Sequence, residues 1–231
     1  MTAAGTRARV RAELTREIAE VARRHLASDG AAALSLRAVA RELGMASSAV
    51  YRYFPSRDDL LTRLIVDAYD ALGTAAEQAE AAAPRSDLRA RWRAVCSATR
   101  AWAVAHPHEY ALVYGSPVPG YAAPESTIGP AARVGEALVR VIADGVEAGT
   151  VDPAADATGA DSTVAPGLVE RIGLPTGEPD SSLAARAILA WTTLFGLISF
   201  ELFGHTNNVV SDHEGYFEDA VDRLGTMVGV P

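Results

Sequence analysis

The residues able to do chemistry cluster between positions 34 and 60, where hydroxyl and guanidinium groups recur at helical spacings. Ser35, Arg37 and Arg41 come first, and Ser48, Tyr51, Arg52, Tyr53 and Arg57 follow within sixteen residues of Arg41. All are hydrogen-bond donors. The planar arginine fork matches the oxygens of a phosphate and the O6/N7 edge of guanine, so the chemistry on offer is recognition.

These groups need elements to position them. Leu36, Val39, Ala40 and Leu43 fall at i, i+3, i+4 and i+7, the stripe of an amphipathic helix that leaves Arg37 and Arg41 outside. Ser35 supplies its N-cap oxygen, Gly44 closes it and Met45 turns inward as the elbow. A second helix is expected from Ser47 to Phe54, with Val50 and Phe54 on the inner side, Ser48 and Arg52 on the outer, and Pro55 as its stop. Ser56 and Asp59 form a capping box for a long helix whose inner residues are Leu60, Leu61, Leu64, Ile65, Ala68 and Leu72. Before the pair, Leu14, Ile18, Val21, Ala22 and Leu26 predict a helix from about Arg11 to Ser28. Residues 1–12, with Arg7, Arg9 and Arg11, read as a polar arm, either along DNA or disordered. The stretch as a whole reads as a DNA-binding helix-turn-helix.

The 231 residues carry a net charge of −8, which by itself argues against nucleic acid, but the charge is uneven. Residues 1–57 hold 10 Arg against 5 acids, a net +5, whereas residues 58–231 hold 11 Arg against 24 acids, a net −13. A basic face can therefore bind phosphates while the remainder limits non-specific binding. All 21 basic residues are Arg, which reads as compositional bias and carries no weight. One cysteine, Cys96, excludes an internal disulfide framework and suits a reducing cytoplasm. The N-terminus lacks the apolar core of a signal peptide. The most apolar run, Ala187 to Phe200, has 14 residues without charge, fewer than the roughly 20 that span a bilayer, and is expected to be a buried helix with no membrane partner.

Further helices are expected at about Asp87–Ala105, over HPHEYALVYG, at about Ala131–Glu147, at Ser182–Phe203 and at His213–Val228. Ser116–Pro130 reads as loop, and 150–180 as a long loop, functional or disordered, with room for one short helix at Val164–Ile172. No stretch alternates like a strand, so the class is all-α.

With these residues in view, positions 11–71 resemble the DNA-binding domain of the TetR family of bacterial one-component repressors. The family's pattern is present as VARELG and YRYFPSRDDLL, with Arg57 in place of the usual lysine. The resemblance implies a three-helix N-terminal helix-turn-helix domain, 11–71, and a larger helical ligand-binding and dimerisation domain, 72–231. It also implies a homodimer, formed through the last two helices, on a double-stranded palindromic operator. Carried over by position, Ser47, Ser48, Ala49 and Arg52 lie near base edges, and Ser35, Arg37, Tyr51, Tyr53 and Arg57 hold phosphates. Arg52 suits bidentate contact to guanine. Ala46 stands where the family commonly has a Ser or Thr cap, so Ser47 is expected to take over that role. The tail WTTLFGLISFELFG resembles a C-terminal class marked by a WxxxHG pattern, here with Phe195 in place of the histidine.

Trp92, Cys96, Thr99, Trp102, Tyr110, Tyr114 and Phe195 are the candidate lining of a pocket for a small-molecule effector, aromatic and apolar with a few polar handles. No GxSxG, P-loop, GxGxxG or HExxH occurs, no i, i+4 histidine pair exists, and Cys96 has no adjacent base, so no enzyme, cofactor or metal site is expected. The reading is a cytoplasmic, ligand-responsive repressor. The alternatives are a protein-interaction module whose helix-turn-helix does not bind DNA, and a helical enzyme.

Overall fold

The computed structural model describes residues 3–155, 164–165, 167–175 and 182–231. Among them the chain is all-α, with ten α-helices and no strand. Two compact units form: Met1–Asp70 with His106–Pro130, and Ala71–Ala105 with Ala131–Pro231.

The first unit contains α1 (Ala3–Asp29), α2 (Leu36–Glu42), α3 (Ser47–Val50), the start of α4 (Arg57–Ala82) and α6 (Pro107–Tyr114). Its core is the set of apolar stripes: Ile18, Val21 and Ala22 of α1, Leu36, Val39 and Ala40 of α2, Val50 and Phe54 after the turn, and Leu60, Leu61 and Leu64 of α4. Leu112, Val118 and Tyr121, distant in sequence, pack against the same core. Two elements differ from expectation. Helix α1 begins at Ala3, so residues expected to form an arm are helical; alanine and arginine are strong helix formers and fill this stretch. Met1, Thr2 and the Arg7 side chain lie outside the described residues. Helix α3 ends at Val50 instead of Phe54, and Tyr51–Tyr53 continue as turns.

The second unit contains the rest of α4 and α5 (Leu88–Ala105), most of α7 (Ile128–Glu147), and α8 (Leu168–Ile172), α9 (Ser182–Leu202) and α10 (His213–Met227). Helix α7 starts within the segment expected to be loop, because Pro130 in its first turn lacks only an N–H that would have no helical partner there. The reading of 150–180 as loop falls partly outside the described residues; α8 lies inside the short helix expected there.

Helices α5, α9 and α10 pack together around Trp92, Val95, Leu194, Ile198, Phe217 and Val221. The Trp92 indole N–H donates to the Val221 carbonyl at 3.0 Å, so the largest buried side chain leaves no polar atom unpaired. Arg91, 0% exposed, donates through Nε to Glu80 at 2.6 Å and pairs with Asp144 at the same distance, with Arg85 ion-paired to both acids. The network joins α4, α5 and α7 through charges that none of them could bury alone. By length and composition α9, at 21 residues, could cross a membrane. It is amphipathic in its packing instead, with Leu183, Ala187, Ala190, Leu194 and Ile198 buried, and with Arg186 and Glu201 in ion pairs or hydrogen bonds.

Candidate nucleic-acid interface

The first helix of the motif is capped as its sequence requires. The Ala38 N–H donates to Ser35 Oγ at 3.5 Å, leaving the Ser35 hydroxyl hydrogen available to an outside acceptor. At the other end Gly44 has φ +64, the left-handed conformation that lets Met45 N–H donate back to the Ala40 carbonyl at 2.9 Å. That bond swings the chain into α3. The N-cap of α3 is Ala46, with no side-chain bond to the exposed amides; the helix does begin at Ser47, but Ser47 is not its cap. The Ala49 N–H is satisfied by the Ala46 carbonyl at 2.9 Å.

On α3 and the turns that follow, Val50 and Phe54 point into the core while Ser47, Ser48 and Arg52 are exposed, Ala49 is half-buried and Tyr51 is 42% exposed. The guanidinium groups of Arg37 and Arg52 make no hydrogen bond or ion pair among the described residues. Tyr53 is half-buried, with the Arg11 guanidinium 5.2 Å from its ring centre. The same Arg11 donates to the Arg52 carbonyl at 3.2 Å, so α1 braces the turn after α3 while the Arg52 side chain stays uncommitted.

Arg57 differs from what was expected of a phosphate contact. Its Nε donates to the Leu34 carbonyl at 3.2 Å and its Nη2 to those of Ala31 and Ala32 at 2.8 and 3.3 Å. One half of the capping box at the start of α4 is present, with Asp59 N–H donating to Ser56 Oγ at 3.1 Å, while the Asp59 carboxylate accepts from the Ser56 hydroxyl at 2.6 Å. Between α1 and α2, Glu42 accepts from Arg24 at 2.6 Å and lies 2.6 Å from His25 Nε2. The Arg24 hydrogen bond, followed by that of His25, holds the Glu42 carboxyl below its usual range. Sequence reasoning missed Arg11 because it assumed an arm. The helical propensity of residues 3–12 was the signal available.

The residues expected to line an effector pocket are divided. Trp92, Cys96, Thr99, Trp102 and Phe195 are all buried in the second unit, where Thr99 Oγ1 donates to the Val95 carbonyl at 2.8 Å and burial pushes the Cys96 thiol up. Tyr110 and Tyr114 belong to the first unit, their ring centres 5.0 Å apart, and Tyr69 stands edge-on to Tyr114 at 5.9 Å. A groove of about 250 Å³ that sequence reasoning did not single out opens between α9 and α10, lined by Gly196, Leu197, Phe200, Glu201, His213 and Tyr216 among others. Gly196 meets no neighbour where a Cβ would stand, which leaves the groove floor open. Among the described residues no cluster of three or more His, Cys, Asp or Glu side chains could hold a metal ion.

Known proteins share both the sequence and the fold. Residues 18–64 match the family described as bacterial regulatory proteins, tetR family, and residues 92–224 match the Tetracyclin repressor-like C-terminal domain. The HTH-type transcriptional regulator Rv1816 of Mycobacterium tuberculosis (strain ATCC 25618 / H37Rv) is 42% identical over 95% of this chain and 94% of its own length. HTH-type transcriptional regulator Mb1846 of Mycobacterium bovis shows the same identity and coverage. Among solved structures, the regulatory protein SCO4313 superposes with a TM-score of 0.75 at 33% identity, covering 94% of this chain and 97% of that one.

Proposed function

The chain belongs to the tetR family of bacterial regulatory proteins and is a helix-turn-helix transcription regulator; from that premise we propose that it is a homodimeric cytoplasmic repressor, released from a palindromic operator by a small apolar effector. The observation that carries this reading is the outer face of α3 and the turn after it, where Ser47, Ser48 and Arg52 stand exposed and uncommitted above a core-facing Val50 and Phe54. In the proposed complex α3 enters the major groove, with Ser47, Ser48, Ala49 and Arg52 at base edges and Arg52 gripping a guanine. Ser35, Arg37, Tyr51 and Tyr53 donate to phosphates and set the register. Arg57, its donors turned to main-chain carbonyls, is left out of this set.

Residues 11–71 make up the proposed DNA-binding domain, and 72–231 the ligand-binding and dimerisation domain. A second copy docks on α9 and α10, which with the turn after α9 leave Leu189, Phe200, Phe203 and Tyr216 exposed, with Phe200 at 56%. Trp92, Cys96, Thr99, Trp102 and Phe195 offer the effector apolar surface. All five are buried in the structure, so in this reading the effector selects a conformation in which they become accessible, and its greater affinity for that state shifts the dimer off DNA.

Gel shifts on the DNA upstream of the protein's own coding sequence test the reading. Binding is expected to weaken steeply with salt, log K falling by about 0.9 per phosphate neutralised for each tenfold rise in salt. Absence of binding, or binding insensitive to salt, would overturn it.

A further inference from the structure

We propose that Arg57 is a positioning residue for operator binding, a clamp that holds the connection between α1 and α2 and through it the groups of α2 that face the phosphates. The connection is residues 30–34, Gly-Ala-Ala-Ala-Leu, and no side chain in it can form a hydrogen bond. Its own hydrogen bonding is a single 3-10 turn at Ala31–Ala33 with no side-chain cap, after the Gly30 N–H to Leu26 carbonyl bond. Something outside must hold it, because Ser35 follows directly and Arg37 stands on the first turn of α2.

Arg57 supplies that hold from the first residue of α4. Its Nε and Nη2 share one edge of the guanidinium plane, and these two nitrogens carry all three bonds, to the carbonyls of Leu34, Ala31 and Ala32. It is the edge that would otherwise grip two oxygens of a phosphate. The remaining nitrogen, Nη1, lies 3.6 Å from Asp58 Oδ1, whose negative charge disfavours a phosphate at that position. A planar fork can bridge several carbonyls at once, whereas the single ammonium of lysine cannot occupy the same three positions. The side chain is therefore committed by geometry as well as by charge. Leu34 is buried, so the clamp connects α4 to the core residue that precedes the α2 cap.

The inference rests on operator binding for one of its two tests and is independent of it for the other. Without DNA, hydrogen exchange on the full chain compares wild type with Arg57→Lys and Arg57→Ala, both expected to speed exchange of the amides of residues 34–39. With operator DNA, both variants are expected to bind weaker by about tenfold or more, the scale of one lost base contact, and to lose preference for the operator over an unrelated duplex. The dependence of log K on salt should keep its slope, whereas Arg37→Ala, the phosphate-contact control, lowers it by about 0.9. Full binding by Arg57→Lys, with Arg57→Ala losing that increment of slope and no change in exchange, would make Arg57 a phosphate contact and overturn the clamp. Because Arg57→Lys keeps the charge and most of the side chain, the test survives if Arg57→Ala folds poorly. Wild type that binds no DNA would refute the repressor reading while the exchange comparison still decides the clamp.

Discussion

At the scale of single residues, the arginines of the helix-turn-helix divide into those that serve the protein and those left for a partner. Arg11 and Arg57 donate to main-chain carbonyls, and Arg24 is paired with Glu42. Arg52 is braced through its carbonyl by Arg11 while its own guanidinium remains exposed, an arrangement that keeps the proposed reading group in place without using it. Replacing Arg52 by alanine should relax the preference for one base pair in each half-site by about 1–3 kcal/mol. Binding to a library of randomised operators measures this, and an unchanged preference would remove Arg52 from the base contacts. Glu42 makes a prediction of opposite kind. Its carboxyl is held low in the folded state, first by Arg24 and then by His25, so its contribution to stability is present above the carboxylate range and lost as the pH falls through it. The Tm difference between wild type and Glu42→Gln should be largest near neutral pH and vanish in acid; a difference that grows in acid would contradict the pairing.

At the scale of elements, α3 is the weakest piece and the one proposed to carry recognition. Four residues cannot sustain a helix alone, and this one lacks a side-chain cap. It persists because Val50 and Phe54 are buried and because the Gly44 turn sets its entry. Ala46 has the extended backbone of an N-cap without the oxygen, so Ala46→Ser should add about 1 kcal/mol of stability. A rise in Tm of several degrees is the expected readout. No rise would mean that the exposed amides of the first turn are already satisfied in another way.

At the scale of the whole molecule, two features govern assembly and stability. The buried network around Arg91 ties three helices of the C-terminal unit, and Glu80, 3% exposed, is its most enclosed acid. Glu80→Gln should destabilise by about 3 kcal/mol, the low end for breaking a buried pair because Asp144 still faces Arg91; urea unfolding would show it, and a neutral effect would mark the network as solvent-accessible. The exposed face of α9 and α10 bears the other prediction. For the proposed homodimer on a palindrome, Phe200→Arg should give a monomer in sedimentation and lose operator binding, since two copies are needed to read both half-sites. A dimer that persists unchanged would move the interface elsewhere.

What the sequence determined by itself was local. Apolar stripes at helical spacing, the Ser35 cap, the Gly44 turn and the Ser56–Asp59 box are set by neighbours within a few residues, so the helix-turn-helix, the all-α class and the family were legible in it. Tertiary structure decided where long side chains and distant segments go. Nothing in the spacing says that Arg57 reaches back 26 residues to Ala31, that Arg11 lies over Tyr53, or that Tyr110 and Tyr114 fold with the N-terminal unit. Those outcomes depend on which carbonyls, rings and core faces lie within reach once the helices have packed, a condition that packing creates and periodicity does not contain.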